Sequence, residues 1–153
     1  DLETEPAPYE VNVLAAADDL QAAEEAGRPF QSLIIVMGAS LKGMGAAGIS
    51  IDDELERIAA LIDAAKAKNI TIIGAHIEGM KRRSQGASPG DNTDELSIDA
   101  VAPESDILLI NKSGDEDQRF TNIADNQDIP MVTVEKNLEL IPAMKQLFNL
   151  ELP

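Results

Sequence analysis

The residues able to do chemistry fall in three short stretches. The first is Gly38-Ala-Ser40-Leu-Lys42-Gly43-Met-Gly45-Ala-Ala-Gly48-Ile-Ser50, in which glycines surround one hydroxyl and one lysine. Backbone N–H groups of such a segment, with the helix start that follows, can hold an anion. Ser40 and Lys42 add a donor and a cation. The second stretch begins at His76, the chain's only histidine, and runs to Lys81-Arg82-Arg83, three of the 12 basic residues. An imidazole can act as general acid or base, donate to a ligand or bind a metal. A metal site there would need carboxylates such as Glu78 and Asp91, and no spacing demands one. Adjacent arginines suit a carboxylate or phosphate, which guanidinium grips bidentately; neighbouring acids would satisfy them equally. The third stretch, Lys112, Asp115, Asp117 and Arg119, reads as a solvated helix start.

Several chemistries are excluded. Gly43-Met-Gly45-Ala-Ala-Gly48 has the form G-x-G-x-x-G, but Ala39–Lys42 separate it from the preceding apolar run. The acid a dinucleotide site needs about 20 residues on, at the end of the next strand, is missing. No Gly-Lys-Ser/Thr occurs, so there is no triphosphate loop. Without cysteine there is no thiol nucleophile, disulfide or zinc–thiolate site. His76 and Ser40 remain as catalytic candidates. The ligand-binding candidates are Gly38, Ser40, Lys42, Gly43, Gly45, Gly48, Ser50, His76, Arg82 and Arg83. No metal or cofactor is expected.

Composition sets the frame. A chain of 153 residues can build one domain with a real core. Aromatics are only 3%, so Leu, Ile, Val, Ala and Met must fill it. With 28 acidic residues against 12 basic ones, the net charge is −16. That field repels phosphate and argues against nucleic acid or an anionic membrane as partner. No apolar run reaches the roughly 20 residues needed to span a bilayer. Asp1–Pro8 reads as a tail or linker, and 9–153 as a single α/β domain. Asn69-Ile-Thr71 and Asn111-Lys-Ser113 match the glycosylation triplet, a pattern short enough to arise by chance.

The elements that must position these residues alternate. Tyr9–Leu14 predicts a short strand and Ala17–Ala26 a helix closed by Gly27. Ser32–Met37 is apolar on both faces, which predicts a central strand of a parallel sheet. Ser50 caps a helix to Lys68, with Asp53 completing a capping box and Leu55, Ile58, Ala59, Ile62 and Ala65 forming its apolar stripe. Ile70–Ala75, Asp106–Asn111 and Ile129–Val134 are further strands, the last at an edge because of Pro130. Thr93 caps a helix over Asp94–Val101; Asp115–Asn126 and Asn137–Phe148 are helical. His76–Asn92 is a long loop of the kind that carries function. The alternation predicts a three-layer α/β domain, Rossmann-like or flavodoxin-like, with right-handed crossovers and a mainly parallel sheet of about five strands. Ligands of such sheets gather at the carboxyl ends of the strands, near a switch in strand order. The three chemical stretches all follow strands.

The glycine–lysine segment, the acidic helix start after it, His76-Ile-Glu-Gly79 and Arg82-Arg83 together resemble a family of secreted bacterial proteins described as a domain of unknown function. Asn12–Leu20 resembles it too, and the likeness covers roughly Tyr9 to Phe148. G-x-S-x-K-G-x-G-A-A-G is its most specific motif. The resemblance implies export, to the periplasm or outside the cell, and an upstream strand–helix unit that this chain lacks. In members the second motif reads His-x-Gly-Gly-x-x-Arg-Arg-Gly and then Ser-Asp. Here Glu78 replaces the first glycine, Ser84 follows the arginines, and Ser88-Pro-Gly-Asp91 stands at the end. The resulting expectation is a domain that binds a small anionic ligand through a glycine-rich and a basic loop. The alternatives are a hydrolase or transferase using His76 as acid or base, and a protein-interaction module of an envelope assembly.

Overall fold

Four apolar runs pair side by side into one parallel sheet: β1 (Ser32–Val36), β2 (Thr71–His76), β3 (Ile107–Asn111) and β4 (Met131–Val134), in the order β1-β2-β3-β4. The structure is a computed structural model that describes residues 9–38, 44–46, 48–80, 83 and 92–148. Helices α1 (Ala17–Glu25), α2 (Ile51–Ala67), α3 (Thr93–Val101), α4 (Arg119–Gln127) and α5 (Leu140–Leu147) alternate with the strands. Val36 lies opposite Ala75, His76 opposite Ile110 and Asn111 opposite Val134, so the carboxyl ends of the strands are nearly level.

Side chains alternate across each strand, and the two faces build separate apolar clusters. Ile35, Ile72, Leu108 and Ile110 pack with Leu20 of α1, Ile58, Leu61 and Ile62 of α2, Ile98 and Val101 of α3, and Phe120 of α4. Successive crossovers of one hand, stepping in one direction, must leave their helices on one face. The other face, with Ile73, Ala75, Leu109 and Val134, is covered by Leu140, Ala143 and Met144 of α5 and by Phe148. Gly74 permits a close approach: a Cβ there would stand 2.4 Å from Ser105 Oγ.

The start of α2 is as expected. Ser50 Oγ accepts from Asp53 N at 3.1 Å, and the Asp53 carboxylate accepts from Ser50 N at 3.0 Å. Pro130 also stands where an edge strand allows it: its carbonyl accepts from Leu108 N at 2.9 Å, and β4 is at the edge.

Other expectations are corrected. Tyr9–Leu14 forms no strand; Val11 and Val13 are 85% and 91% exposed, so the alternation finds neither a sheet nor a core. The sheet of the described residues therefore has four strands, not about five. β1 is an edge strand, not a central one, and Val36 is 58% exposed. An apolar run reports burial by helices but not the number of neighbouring strands. The strand order is sequential, with no switch among the described strands. Thr93 is the first residue of α3; Asn92 holds the cap position without a side-chain bond. Asp115 stands outside α4 and caps it, accepting from Phe120 N at 2.7 Å and from the Thr121 hydroxyl. The last helix opens with a 3-10 turn at Asn137–Glu139. No helix of the described residues is long and apolar enough to cross a membrane.

Candidate functional site

The carboxyl ends of β1, β2 and β3 and the start of α3 meet at one rim. His76 ends β2 on the face that carries Ile72 and Gly74, which turns it toward the helices. It is 1% exposed and its ring lies 5.0 Å from that of Phe120. Its Nε2 is 3.8 Å from Asp94 Oδ2, too long for a hydrogen bond. Its Nδ1 has no hydrogen-bond partner. That atom faces Gly114, where a Cβ would lie 2.9 Å from Nδ1 and 2.5 Å from the Glu78 carbonyl oxygen.

Asp94, in the first turn of α3, is 7% exposed, and its Oδ2 has no hydrogen-bond partner. Gly38, just past β1, has φ +123°, and a Cβ there would stand 3.0 Å from Asp94 Oδ1. The Gly38 N–H donates to Ser97 Oγ, one turn further along α3, at 3.2 Å. Asp94 thus sits between two residues singled out in the sequence, Gly38 and His76. It was itself read only as a helix residue. The topology could have flagged it: a crossover helix that follows β2 starts at the carboxyl rim.

Arg83 is 2% exposed and fully engaged. Its Nε and Nη2 each donate to Glu95 at 3.0 Å, and Nη1 donates to Asp117 at 2.7 Å and to the Gly114 carbonyl at 3.0 Å. The guanidinium lies 5.7 Å over the Phe120 ring. Burial disfavours its charged form, but the bonds and attraction of Glu95 and Asp117 outweigh this and hold its pKa above the ordinary value. Burial likewise pushes the Asp117 carboxyl up, and the bonds from Arg83 and the Arg119 N–H win, leaving it below the usual range. Arg119 adds to the network. Its Nε is 3.0 Å from Glu95 but out of line for a hydrogen bond, and its Nη2 donates to Asp99. The network ties the segment after β2 to α3 and to the start of α4. Of the two fates open to the arginine pair, Arg83 takes the internal one.

Ser50 is also committed. In the capping box Ser50 Oγ meets the Asp53 N–H and the Asp53 carboxylate meets the Ser50 N–H, so the helix start already carries an anion. The Ser50 hydroxyl, and then its backbone, hold the Asp53 pKa down. Gly48 has φ +71°, and Gly45 meets nothing within 4 Å of a would-be Cβ. Ser40, Lys42, Gly43 and Arg82 lie outside the described residues, as does Asp91. So does Gly86-Ala-Ser88-Pro-Gly90, which has the letters of a nucleophile elbow. That pattern requires a strand running directly into the turn, and among the described residues the strand before it, β2, ends at His76.

Among the described residues no group of three or more His, Cys, Asp or Glu could hold a metal. A hollow of about 440 Å³ lined by Lys66, Asn69, Ile70, Thr71 and Asp106 lies at the amino end of β2, away from this cluster. Asn111 is 7% exposed and donates to Asn137 at 3.0 Å, which makes it a structural residue and not a surface glycosylation site.

Residues 3–148 match a protein family described as a domain of unknown function, DUF6305. The chain belongs to this family. No curated protein and no solved structure matches it. The DUF6305 match runs from before α1 to the end of α5, so Gly38, His76, Asp94 and the Arg83 network all fall inside it.

Proposed function

We propose that this DUF6305 domain binds a small anionic ligand at the carboxyl rim of a three-layer, Rossmann-like fold, in an exported protein. The observation that carries the reading is that two of the three buried side-chain atoms without hydrogen-bond partners among the described residues, His76 Nδ1 and Asp94 Oδ2, lie in one cluster at that rim. Folded proteins pair about 90% or more of such atoms. Two in one place mark where a partner is wanting. In this reading the glycine segment supplies amide donors from Gly43 and Gly45, Ser40 a hydroxyl, and Lys42 and Arg82 charge, while the Gly38 and Gly48 N–H groups, which donate to Ser97 Oγ and the Gly45 carbonyl, shape the turn. His76 orients the ligand, while Arg83 and Ser50 hold the framework. A net charge of −16 does not oppose this, because distant charges are screened within about 10 Å.

The test is thermal shift and calorimetry with phosphate, nucleotides and organic acids. A ligand at a hundred times its Kd adds about 2.7 kcal/mol of stability, and Lys42→Ala and His76→Gln should lose most of it. No stabilisation by any anion, or equal stabilisation of both variants, refutes the reading. One observation favours a second reading, a hydrolase or transferase: Asp94 faces the Nε2 edge of His76 and can orient the imidazole as acid or base. Turnover abolished by His76→Ala would establish it. Binding without turnover across the panel would leave the first reading alone.

A further inference from the structure

Asp94 bears on what kind of anion the rim can accept. Its Oδ1 abuts Gly38, and its Oδ2 is buried, unpartnered and beyond bonding distance of His76. The Gly38 N–H donates to Ser97 and not to Asp94. A carboxylate oxygen can only accept, so the partner it lacks is a donor. A bare carboxylate or a fully ionised phosphate offers acceptors alone and meets Asp94 with repulsion. An anion can sit here at low cost only if it turns an O–H or N–H toward that oxygen.

We infer that Asp94 is the specificity-determining residue of the rim, and that the ligand is a small anion that also bears a hydroxyl or ammonium donor. This rests on the anion-binding reading above. The anionic end is met on the His76 side of the rim, and the donor by Asp94 Oδ2. No covalent step is involved. Gly38 fits the arrangement, since its φ of +123° strains any other residue and a Cβ there would crowd Asp94 Oδ1 at 3.0 Å.

The experiment is calorimetry on the full chain with matched probes: glycolate and glycine against acetate, and lactate against propionate. A hydrogen bond to a charged group is worth about ten- to a hundred-fold in affinity, so the donor-bearing probe of each pair should bind tighter by that factor. A preference for glycolate assigns a hydroxyl, and one for glycine an ammonium. In Asp94→Asn the charge repulsion is gone and the amide can donate, so the ratio should fall to within about threefold, mainly through tighter acetate binding. If that variant does not fold, the wild-type ratios decide alone. Equal affinity within each pair, or an unchanged ratio in Asp94→Asn, overturns the inference while leaving anion binding in place. Failure of every anion to bind overturns both.

Discussion

Replacing Arg83 by methionine removes the charge and the fork but keeps much of the packing against Phe120. The side chain is 2% exposed and donates two hydrogen bonds to Glu95, one to Asp117 and one to the Gly114 carbonyl. Deleting one member of a buried ion pair costs about 3–5 kcal/mol, because the partners are left charged and unpaired. Here those partners are not sealed, and Glu95 keeps its ion pair with Arg119. The side chains of Glu95 and Asp117 are 19% and 32% exposed and can recover some hydration. That moves the expected loss to the lower end, about 3 kcal/mol. For a domain of this size each kcal/mol shifts Tm by about 2–4 °C, so Tm should fall by about 10 °C. Urea unfolding is the assay, with a lower midpoint and an unchanged slope. Arg83→Lys should lose more than half as much, since an ammonium cannot fork to two carboxylates. A loss under about 1 kcal/mol for Arg83→Met would refute the claim that this guanidinium holds the rim together.

Gly114→Ala should destabilise by about 1–3 kcal/mol in the same assay, because its Cβ would meet the Glu78 carbonyl at 2.5 Å and His76 Nδ1 at 2.9 Å. Gly74→Ala should cost a similar amount through its 2.4 Å clash with Ser105 Oγ, which donates to the Val101 carbonyl and is not free to turn away. The double variant with Ser105→Ala should recover part of that loss, and no recovery would place the strain elsewhere. Asp53 and Asp117 both have lowered pKa values. Their contribution to stability is therefore present above the ordinary carboxylate pKa and lost as pH falls through their folded values. Unfolding measured from pH 7 to pH 3 should show a decline below about pH 4, shallower in Asp117→Asn.

The elements with strong local signals were legible in the sequence. Ser50 with Asp53 fixed the start of α2, and Pro130 marked β4 as an edge strand. Register in the long sense was not legible. Leu33–Met37 reads as a central strand because it is apolar on both faces, yet only pairing decides how many neighbours a strand has. Tyr9–Leu14 alternates as a strand should, but a strand needs a partner edge, and no sequence pattern states whether one is offered. At the rim, Gly38 and His76 were found because glycine beside a strand end and a lone histidine stand out. Asp94 was hidden by a good alternative reading, since an acid in the first turn suits the helix dipole and draws no further notice. The fate of Arg83 could not be read either. Whether a guanidinium meets an internal carboxylate or a ligand depends on Glu95 and Asp117, 12 and 34 residues away in the chain.

The charge at the rim now separates two duties that the sequence had merged in its basic residues. Asp94, Glu95, Asp99 and Asp117 gather there against Arg83 and Arg119, so among the described residues carboxylates outnumber guanidiniums. Lys112, at the same end of β3, is paired with Glu135 at 3.1 Å. The first duty of these cations is to let acidic segments approach one another. An anion entering such a rim must be met by charge not already committed to that task, and the motif cation Lys42 is the residue to test. The two effects should therefore cross. Arg83→Met should cost stability and leave the affinity of the folded protein for its anion within about threefold, while Lys42→Ala should lower that affinity by about tenfold or more. If instead Arg83→Met abolished binding at a temperature where it stays folded, and Lys42→Ala did not, Arg83 would be a ligand-binding cation and the network around it a resting state that the ligand displaces.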